Sequence, residues 1–258
     1  MDLGIRGKRA LVCAGSKGLG RGCAEALAEA GVDIVLNARS AGPLEETAQA
    51  IREAYGVNVT TVAVDVTTPE GHAAVLEAAG QIDILVNNAG GPPPGIWSDW
   101  NRDDFIKALD SNMLTPIALI KASLPGMIDR GWGRIVNITS GAVKSPIPQL
   151  GLSNSARAGL TGYVGGTSRQ VARHGVTINN LLPGIHATDR AIQLDTGVAN
   201  TKGISIEEAK RGLLSEKEPS QQFTTPEELG ELAVFLCGPA SGNIRGAAWV
   251  MDGGWSAQ

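Results

Sequence analysis

A chain of 258 residues with 43% hydrophobic and 19% charged residues can bury one large core, and its composition excludes a disordered or fibrous protein. The net charge is only −4 and the basic residues are scattered, which argues against a nucleic-acid or anionic-membrane partner. We therefore expect a small-molecule ligand.

The chain has three cysteines, Cys13, Cys23 and Cys237. Their number is odd and their spacing matches neither a metal site nor a redox motif, so we expect free, buried thiols, no metal and a reducing compartment. No apolar run reaches the roughly 18 residues that span a bilayer, and the N-terminus lacks a signal-peptide layout. The expected location is the cytoplasm.

Short apolar runs alternate with helix-like stretches along the whole chain. The predicted strands are 10–12, 33–36, 57–64, 82–86, 134–139, 176–182 and 247–251. This alternation indicates repeated βαβ units, and continuously apolar strands are typical of a parallel sheet covered on both faces. The sequence predicts one doubly wound (Rossmann) α/β domain over 1–258, with a seven-stranded parallel sheet and helices on both faces.

A glycine-rich turn, CAGSKGLG at 13–20, follows the first predicted strand and opens a helix. Glycines at this place let the backbone approach a phosphate, and the helix N-terminus attracts the anion. The context favours a dinucleotide site over an ordinary tight loop. Its predicted binding residues are Gly15, Ser16, Lys17, Gly18, Leu19 and Gly20.

The residues after the second strand predict which dinucleotide is bound. An acidic residue about twenty positions beyond the glycine turn would bind the ribose 2′-hydroxyl and repel a 2′-phosphate. This chain has Asn37, Ala38 and Arg39 there. Arg39 and Lys17 could neutralise a 2′-phosphate, although both could also be ordinary surface charges. We therefore expect NADP(H) rather than NAD(H).

Two segments interrupt the alternation and are predicted to be functional loops. One is GGPPPGIWSDW at 90–100, whose Trp97 and Trp100 could shape a substrate pocket. The other, at about 188–223, is polar and helix-prone and is predicted to be a substrate lid. It ends where Thr225 is expected to cap a helix that begins with Pro226.

Further motifs occur in a fixed order: NNAG at 87–90, Asn112 in SNMLTP, ITSGAV at 138–143, PGIHAT at 183–188 and VMDGG at 250–254. With the glycine turn, this set resembles the short-chain dehydrogenase/reductase family over nearly the whole chain. It is most similar to the beta-ketoacyl carrier-protein reductases.

The resemblance implies a role for each motif. Ser140 would orient a substrate carbonyl and Asn112 would hold a water of a proton relay. A homotetramer or homodimer is also implied, with Trp249 and Trp255 near the contacts. Implied cofactor contacts are adenine at Asp65 and Val66, ribose at Asn88, Ala89 and Gly90, and nicotinamide at Pro183, Gly184 and Thr188. Asp65 could instead cap a turn, and Asn88 could satisfy loop backbone.

The chain departs from the family pattern at the reacting centre. Thirteen residues beyond Ser140 the family has a tyrosine, and four residues later a lysine; here these positions hold Ser153 and Arg157. Cys13 and Ala14 also replace the usual Thr and Gly. A serine hydroxyl does not ionise near neutrality without a strong base, and a guanidinium cannot be that base, although Arg157 could still bind ribose hydroxyls.

A substitute proton donor is therefore sought among nearby titratable residues. His186 is the first candidate, because imidazole titrates near pH 6.5, although it could equally be a solvent-facing loop residue. Lys144 is a second candidate, more often a surface charge at such a place. Whether Ser153 is catalytic or only fills the vacated space stays open.

Three functions remain compatible with the sequence. The first is an NADP(H)-dependent oxidoreductase that acts on a ketone or secondary alcohol and uses a non-standard proton donor. One version of this hypothesis has a 3-oxoacyl-like substrate. The second is an inert dinucleotide-binding sensor or partner subunit, motivated by the lost Tyr and Lys. The third is a non-redox lyase or hydratase, which no residue selects positively.

Overall fold

The computed structural model of the chain describes residues 3–184, 186, 196, 199, 203–217, 220 and 222–257. The strands are β1 (Arg9–Cys13), β2 (Asp33–Ala38), β3 (Val59–Ala63), β4 (Ile84–Asn87), β5 (Gly133–Ile138), β6 (Val176–Pro183) and β7 (Ala248–Met251). The helices are α1 (Gly18–Glu29), α2 (Ala41–Tyr55), α3 (Pro69–Ala79), α4 (Arg102–Leu109), α5 (Thr115–Asp129), α6 (Gly151–Val171), α7 (Ile206–Lys217) and α8 (Pro226–Cys237).

The seven strands form one parallel sheet in the order β3-β2-β1-β4-β5-β6-β7. The order reverses between β1 and β4, so a crevice opens there at the carboxyl ends of the strands. This confirms the predicted doubly wound sheet and its seven strands. The predicted strand boundaries were accurate to within two residues.

Helices cover both faces because strand side chains alternate between two apolar cores. Val12 lies in the core beneath α1, α2 and α8, while Leu11 lies in the core beneath α3, α5 and α6. All three cysteines are free and buried in these cores, as predicted, and desolvation raises the pKa of each thiol to about 12.

The predicted start of the last helix, α8, is confirmed. The side chain of Thr225 accepts a hydrogen bond from the Glu228 amide at the start of α8, and Glu228 in return accepts from the Thr225 amide. Pro226 is the first residue of that helix. This reciprocal cap fixes where the polar 188–223 segment ends and α8 begins. Within that segment, the longest stretch that the structure describes contains α7.

The 90–100 segment is irregular, as predicted, until α4 begins at Arg102. In the part of the chain that the structure describes, no helix is both long and apolar enough to cross a membrane. Within the same residues, no group of three His, Cys, Asp or Glu side chains is placed to hold a metal ion.

Candidate active site

The glycine turn lies between β1 and α1, where the sequence predicted a phosphate site. A Cβ on Gly20 would lie 2.4 Å from the Ala14 carbonyl oxygen and 2.8 Å from Nδ2 of Asn88, so only glycine fits there. Gly18 has a φ of +57°. The first turn of α1 has no acidic residue and no side-chain cap at Lys17, which leaves its positive end open to an anion.

The close approach of Gly20 to Asn88 joins two motifs that are nearly seventy residues apart in the chain. The turn also bonds to the next strand, since the Gly15 amide donates to the Asn37 carbonyl at 3.0 Å. The turn thus forms a backbone cradle at the crevice, and its residues fit a dinucleotide pyrophosphate.

The residues predicted to select NADP(H) over NAD(H) differ in their surroundings. Asn37 is buried, and its Nδ2 donates to the carbonyls of Val62 and Val64, so it ties β2 to β3 and does not face a ligand. Arg39 is exposed, and its charge helps lower the pKa of Asp65. The larger cause of that lowering is Thr67, whose amide and hydroxyl both donate to Asp65 Oδ1. Asp65 therefore caps a turn, the alternative that the sequence left open.

Ser153 and Arg157 lie one turn apart on α6 and face the ends of β4 and β5. Arg157 is 8% exposed and uses four of its five N–H bonds in the protein. Nη1 donates to the carbonyls of Ile138 and Thr139, each at 2.8 Å, and Nη2 donates to the Ala89 carbonyl at 3.2 Å.

The fourth bond joins the two replaced positions directly. Nε of Arg157 donates to Oγ of Ser153 at 3.2 Å, so the serine oxygen is an acceptor and its own O–H is left to donate elsewhere. Burial lowers the pKa of Arg157 to about 10, which still leaves a full positive charge at neutral pH. Its four partners are three carbonyls and one hydroxyl, so this buried cation is held by dipoles and by no carboxylate among them.

Asn112 and Ser140, the two other predicted catalytic residues, each keep a polar atom available to a ligand or a water. Asn112 is buried in a π-helical turn, Asp110–Leu114, between α4 and α5, and its Nδ2 donates to Ser111 Oγ at 2.7 Å. Its Oδ1 is buried without a partner among the described residues, a state that a bound water would relieve. Ser140 Oγ accepts from the Ala142 amide at 3.1 Å, which leaves its O–H available to a ligand.

His186 is buried and does not face solvent. Its Nδ1 lies 3.4 Å from the Gly184 carbonyl, and its backbone forms a bridge with Thr224. Desolvation lowers the pKa of His186, more strongly than the Gly184 carbonyl and Glu228 raise it. The ring is therefore neutral at pH 7, a poor state for a proton donor. Lys144, the other candidate donor, is exposed.

Other predicted contacts fall around the same crevice. Pro183 ends β6, and the Gly184 amide donates to the Met251 carbonyl at 2.8 Å, which ties to β7 the start of the loop predicted to bind nicotinamide. Val66 and Ala89 are half-buried and Gly90 is exposed. Thr188 lies outside the described residues.

Trp100 packs next to the start of α6, whereas Trp97 does not pack on the core. A Cβ on Gly151, the first residue of α6, would lie 2.4 Å from the Trp100 ring. The Gly95 amide donates to the Gln149 carbonyl just before that helix. Trp97 is 86% exposed. The 90–100 loop is therefore anchored at the site by Trp100 and presents Trp97 to its surroundings.

Sequence reasoning missed a buried polar pair beneath the crevice. Asn87 Nδ2 donates to Asn137 Oδ1 at 2.9 Å, and Asn137 Nδ2 donates to the Asn179 carbonyl at 3.2 Å. The signal was present, since amide side chains stand at the ends of otherwise apolar strands. These bonds hold β4, β5 and β6 together where the site is built.

The fold and this site define a dinucleotide-binding α/β protein whose ligand crevice lies at the carboxyl ends of parallel strands. The model of the short chain dehydrogenase family matches residues 8–198. The chain belongs to the short-chain dehydrogenase family.

Relatives of this chain align with it over nearly the full length of both sequences. D-beta-hydroxybutyrate dehydrogenase from Cupriavidus necator is 36% identical over 261 aligned residues, covering 98% of this chain and 100% of the relative. A 3-oxoacyl-[acyl-carrier-protein] reductase from Vibrio cholerae is 33% identical and covers 98% of each chain. The crystal structure of L-sorbose reductase from Gluconobacter frateurii, complexed with NADPH and L-sorbose, superposes with a TM-score of 0.95 at 32% identity over all of both chains.

Proposed function

We propose that this protein is an NADP(H)-dependent oxidoreductase that interconverts a ketone and a secondary alcohol, with a proton donor other than tyrosine. The observation that carries the proposal is the Arg157 network. This network holds the Arg157 cation on Ala89, Ile138 and Thr139 and binds it to the Ser153 hydroxyl, so a positive charge and a hydrogen-bond donor stand together at the ends of β4 and β5.

The cofactor assignment has two supports. The cradle of Gly15, Gly18 and Gly20 fits a pyrophosphate, and the end of β2 carries Arg39 in place of the acidic residue that would repel a 2′-phosphate. The L-sorbose reductase that this chain resembles was crystallised with NADPH. When bound, the reduced nicotinamide would supply a hydride to the carbonyl carbon.

The chain's own residues would then act on the carbonyl oxygen. The hydroxyls of Ser140 and Ser153 are each left able to donate, and they would orient that oxygen. Arg157, bonded to Ser153, would stabilise the negative charge that develops on it. The proton would arrive through a water at Asn112, whose Oδ1 is buried without a partner among the described residues, because His186 is neutral at pH 7.

The substrate class follows from the relatives only in outline. The named relatives are a D-beta-hydroxybutyrate dehydrogenase, a 3-oxoacyl-[acyl-carrier-protein] reductase and an L-sorbose reductase, so the ketone form of each of these substrates belongs in the carbonyl panel. Loss of a general acid typically costs about 10² to 10⁴ in rate, so slow turnover is expected.

The test is a titration of the purified protein with NADPH and NADH by fluorescence, followed by addition of the carbonyl panel to the same samples. We expect tighter binding of NADPH and slow, carbonyl-dependent loss of its absorbance. Binding without turnover would instead support the inert sensor or partner subunit. Substrate conversion with no change in NADPH absorbance would support the lyase or hydratase.

A further inference from the structure

The buried charge of Arg157 has a consequence for the oxidation state of the cofactor, beyond its part in turnover. Among the described residues, the four hydrogen-bond partners of this guanidinium are all neutral groups: the carbonyls of Ala89, Ile138 and Thr139, and the Ser153 hydroxyl. Burial lowers the pKa of Arg157, and no acidic side chain among the described residues raises it again. In the part of the chain that the structure describes, no acidic group therefore contacts Arg157 to balance its positive charge.

Because position 153 holds a serine, no ionised side chain at that position balances the positive charge of Arg157. A tyrosine at this place could ionise and balance a neighbouring cation, whereas a serine hydroxyl does not ionise in the working pH range of proteins. Ser153 touches the guanidinium at 3.2 Å, so it stands where a counter-charge would act most strongly.

The two forms of a nicotinamide cofactor differ by one positive charge, which is carried on the ring. The oxidised ring is a cation and the reduced ring is neutral, while the phosphates and sugars are the same. A fixed cation that borders the same pocket repels only the oxidised ring. Nη2 of Arg157 bonds the Ala89 carbonyl, in the loop that also approaches the glycine cradle through Asn88, so the charge lies on the crevice side of α6.

We infer that Arg157 and Ser153 together make this site selective for the reduced cofactor, so that the protein binds NADPH more tightly than NADP⁺ and favours ketone reduction. This inference rests on the proposed function, because it requires a nicotinamide cofactor in this crevice. Repulsion between two unit charges in a partly buried site changes affinity on the order of tenfold, which sets the expected ratio of the two dissociation constants.

The experiment measures dissociation constants for NADPH and NADP⁺ by calorimetry on the intact protein, with no substrate present. The ratio of the two constants is the readout, because general damage to the cradle weakens both forms alike. The wild-type protein is expected to bind NADPH about tenfold more tightly.

Two matched pairs of variants test the cause. Ser153→Asp places a carboxylate against Arg157 and should bring the ratio close to one, whereas the neutral, similarly sized Ser153→Asn should leave it near tenfold. Arg157→Gln should also bring the ratio close to one, while Arg157→Lys should keep most of it. Thermal unfolding of each variant checks that the fold is retained.

The outcomes separate this inference from the proposed function. Equal affinities in the wild-type protein would overturn the inference and leave cofactor binding intact. A ratio that survives both Ser153→Asp and Arg157→Gln would also overturn it, since the preference would then have another source. Failure to bind either form would overturn both proposals.

Discussion

At the scale of single residues, the site combines retained and replaced positions. Ser140 and Asn112 are where the family motifs predict them, and Ser153 with Arg157 stand where tyrosine and lysine were expected. The sequence revealed the replacement itself, because the spacing from Ser140 is fixed. It did not reveal that the two new side chains bond to each other or that Arg157 binds three backbone carbonyls.

Restoring the family pair tests whether the framework is still competent. Ser153→Tyr combined with Arg157→Lys is expected to raise kcat by about 10² or more, because a phenol beside an ammonium supplies the missing general acid. Ser153→Phe with Arg157→Lys is the control, which fills the same space without a hydroxyl. Steady-state assays of NADPH oxidation compare the two, and equal rates in both would contradict a general-acid role at this position.

Ala14 is strained by the departure from glycine in the cradle. Its φ is 48°, in the left-handed region that disfavours a Cβ by about 1 to 2 kcal/mol. Ala14→Gly is therefore expected to stabilise the fold by about 0.5 to 1 kcal/mol in urea unfolding, after the entropy cost of glycine in the unfolded chain. Ala30→Gly, at a φ of −73°, is the control and should lose stability.

His186 gives stability a defined pH dependence. Burial lowers its pKa in the folded state, so the folded protein resists protonation more than the unfolded chain does. Its contribution is complete above the unfolded value near pH 6.5 and is lost as the pH falls below it, by at most about 1.4 kcal/mol per pH unit. Urea unfolding between pH 7 and 5 should show a shallower decline for His186→Gln than for the wild type.

The matched control is His174→Gln, in the turn before β6. It makes the same His-to-Gln change outside the candidate site and so controls for the substitution itself. If the His186→Gln and wild-type proteins lose stability in parallel, another group is responsible for the acid sensitivity.

At the scale of elements, the packing of α1 against α8 positions the glycine turn at the start of α1. A Cβ on Gly22 would lie 2.2 Å from the Pro226 carbonyl oxygen, and one on Gly230 would lie 2.4 Å from the Gly22 carbonyl oxygen. The two helices therefore touch backbone to backbone. This contact holds the start of α8, where Thr224 meets His186, against the helix that begins at the glycine turn.

Gly22→Ala should force these helices apart. We expect a loss of about 2 kcal/mol or more in unfolding free energy, in the range of overpacked cores, together with weaker NADPH binding because α1 carries the cradle. Gly42→Ala in α2 is the control, since a Cβ there meets nothing within 4 Å, and it should be neutral or slightly stabilising. Urea unfolding and NADPH titration of both variants provide the measurement.

At the scale of the whole molecule, the last strand forms one edge of the sheet beside a partly exposed apolar surface. Phe235 and Trp249 pack edge to face with ring centroids 5.9 Å apart, and Phe235 and Val250 remain 36% and 39% exposed. An exposed apolar surface beside an edge strand is a typical place for a subunit contact. This agrees with the dimer or tetramer that the family resemblance implies, which stays a prediction.

Sedimentation velocity should therefore give the mass of a homodimer or homotetramer. Val250→Glu should shift the protein to a smaller species, because a buried unpaired carboxylate is costly at an interface. Tyr55→Glu, at a similarly exposed aromatic on α2, is the control and should leave the mass unchanged. A monomeric wild-type protein would contradict the expectation.

The sequence by itself determined the features that depend on neighbouring residues or on a repeating pattern. The seven strands, the glycine cradle, the Thr225 cap and the replaced positions Ser153 and Arg157 could be read from it, because each depends on neighbouring residues or on fixed spacing. The end of the 188–223 segment could be read as well, from the Thr225 cap, whereas its predicted start lies outside the described residues.

The tertiary structure decided everything that depends on which distant groups meet. It buried His186 and lowered its pKa, turned Asn37 away from the ligand, placed Asn88 beside Gly20, and joined Arg157 to the ends of two strands. None of these follows from spacing, because burial and hydrogen-bond partners are set by elements far apart in the chain. The strength of the buried charge, and with it the expected preference for the reduced cofactor, arises only when the sheet and α6 come together.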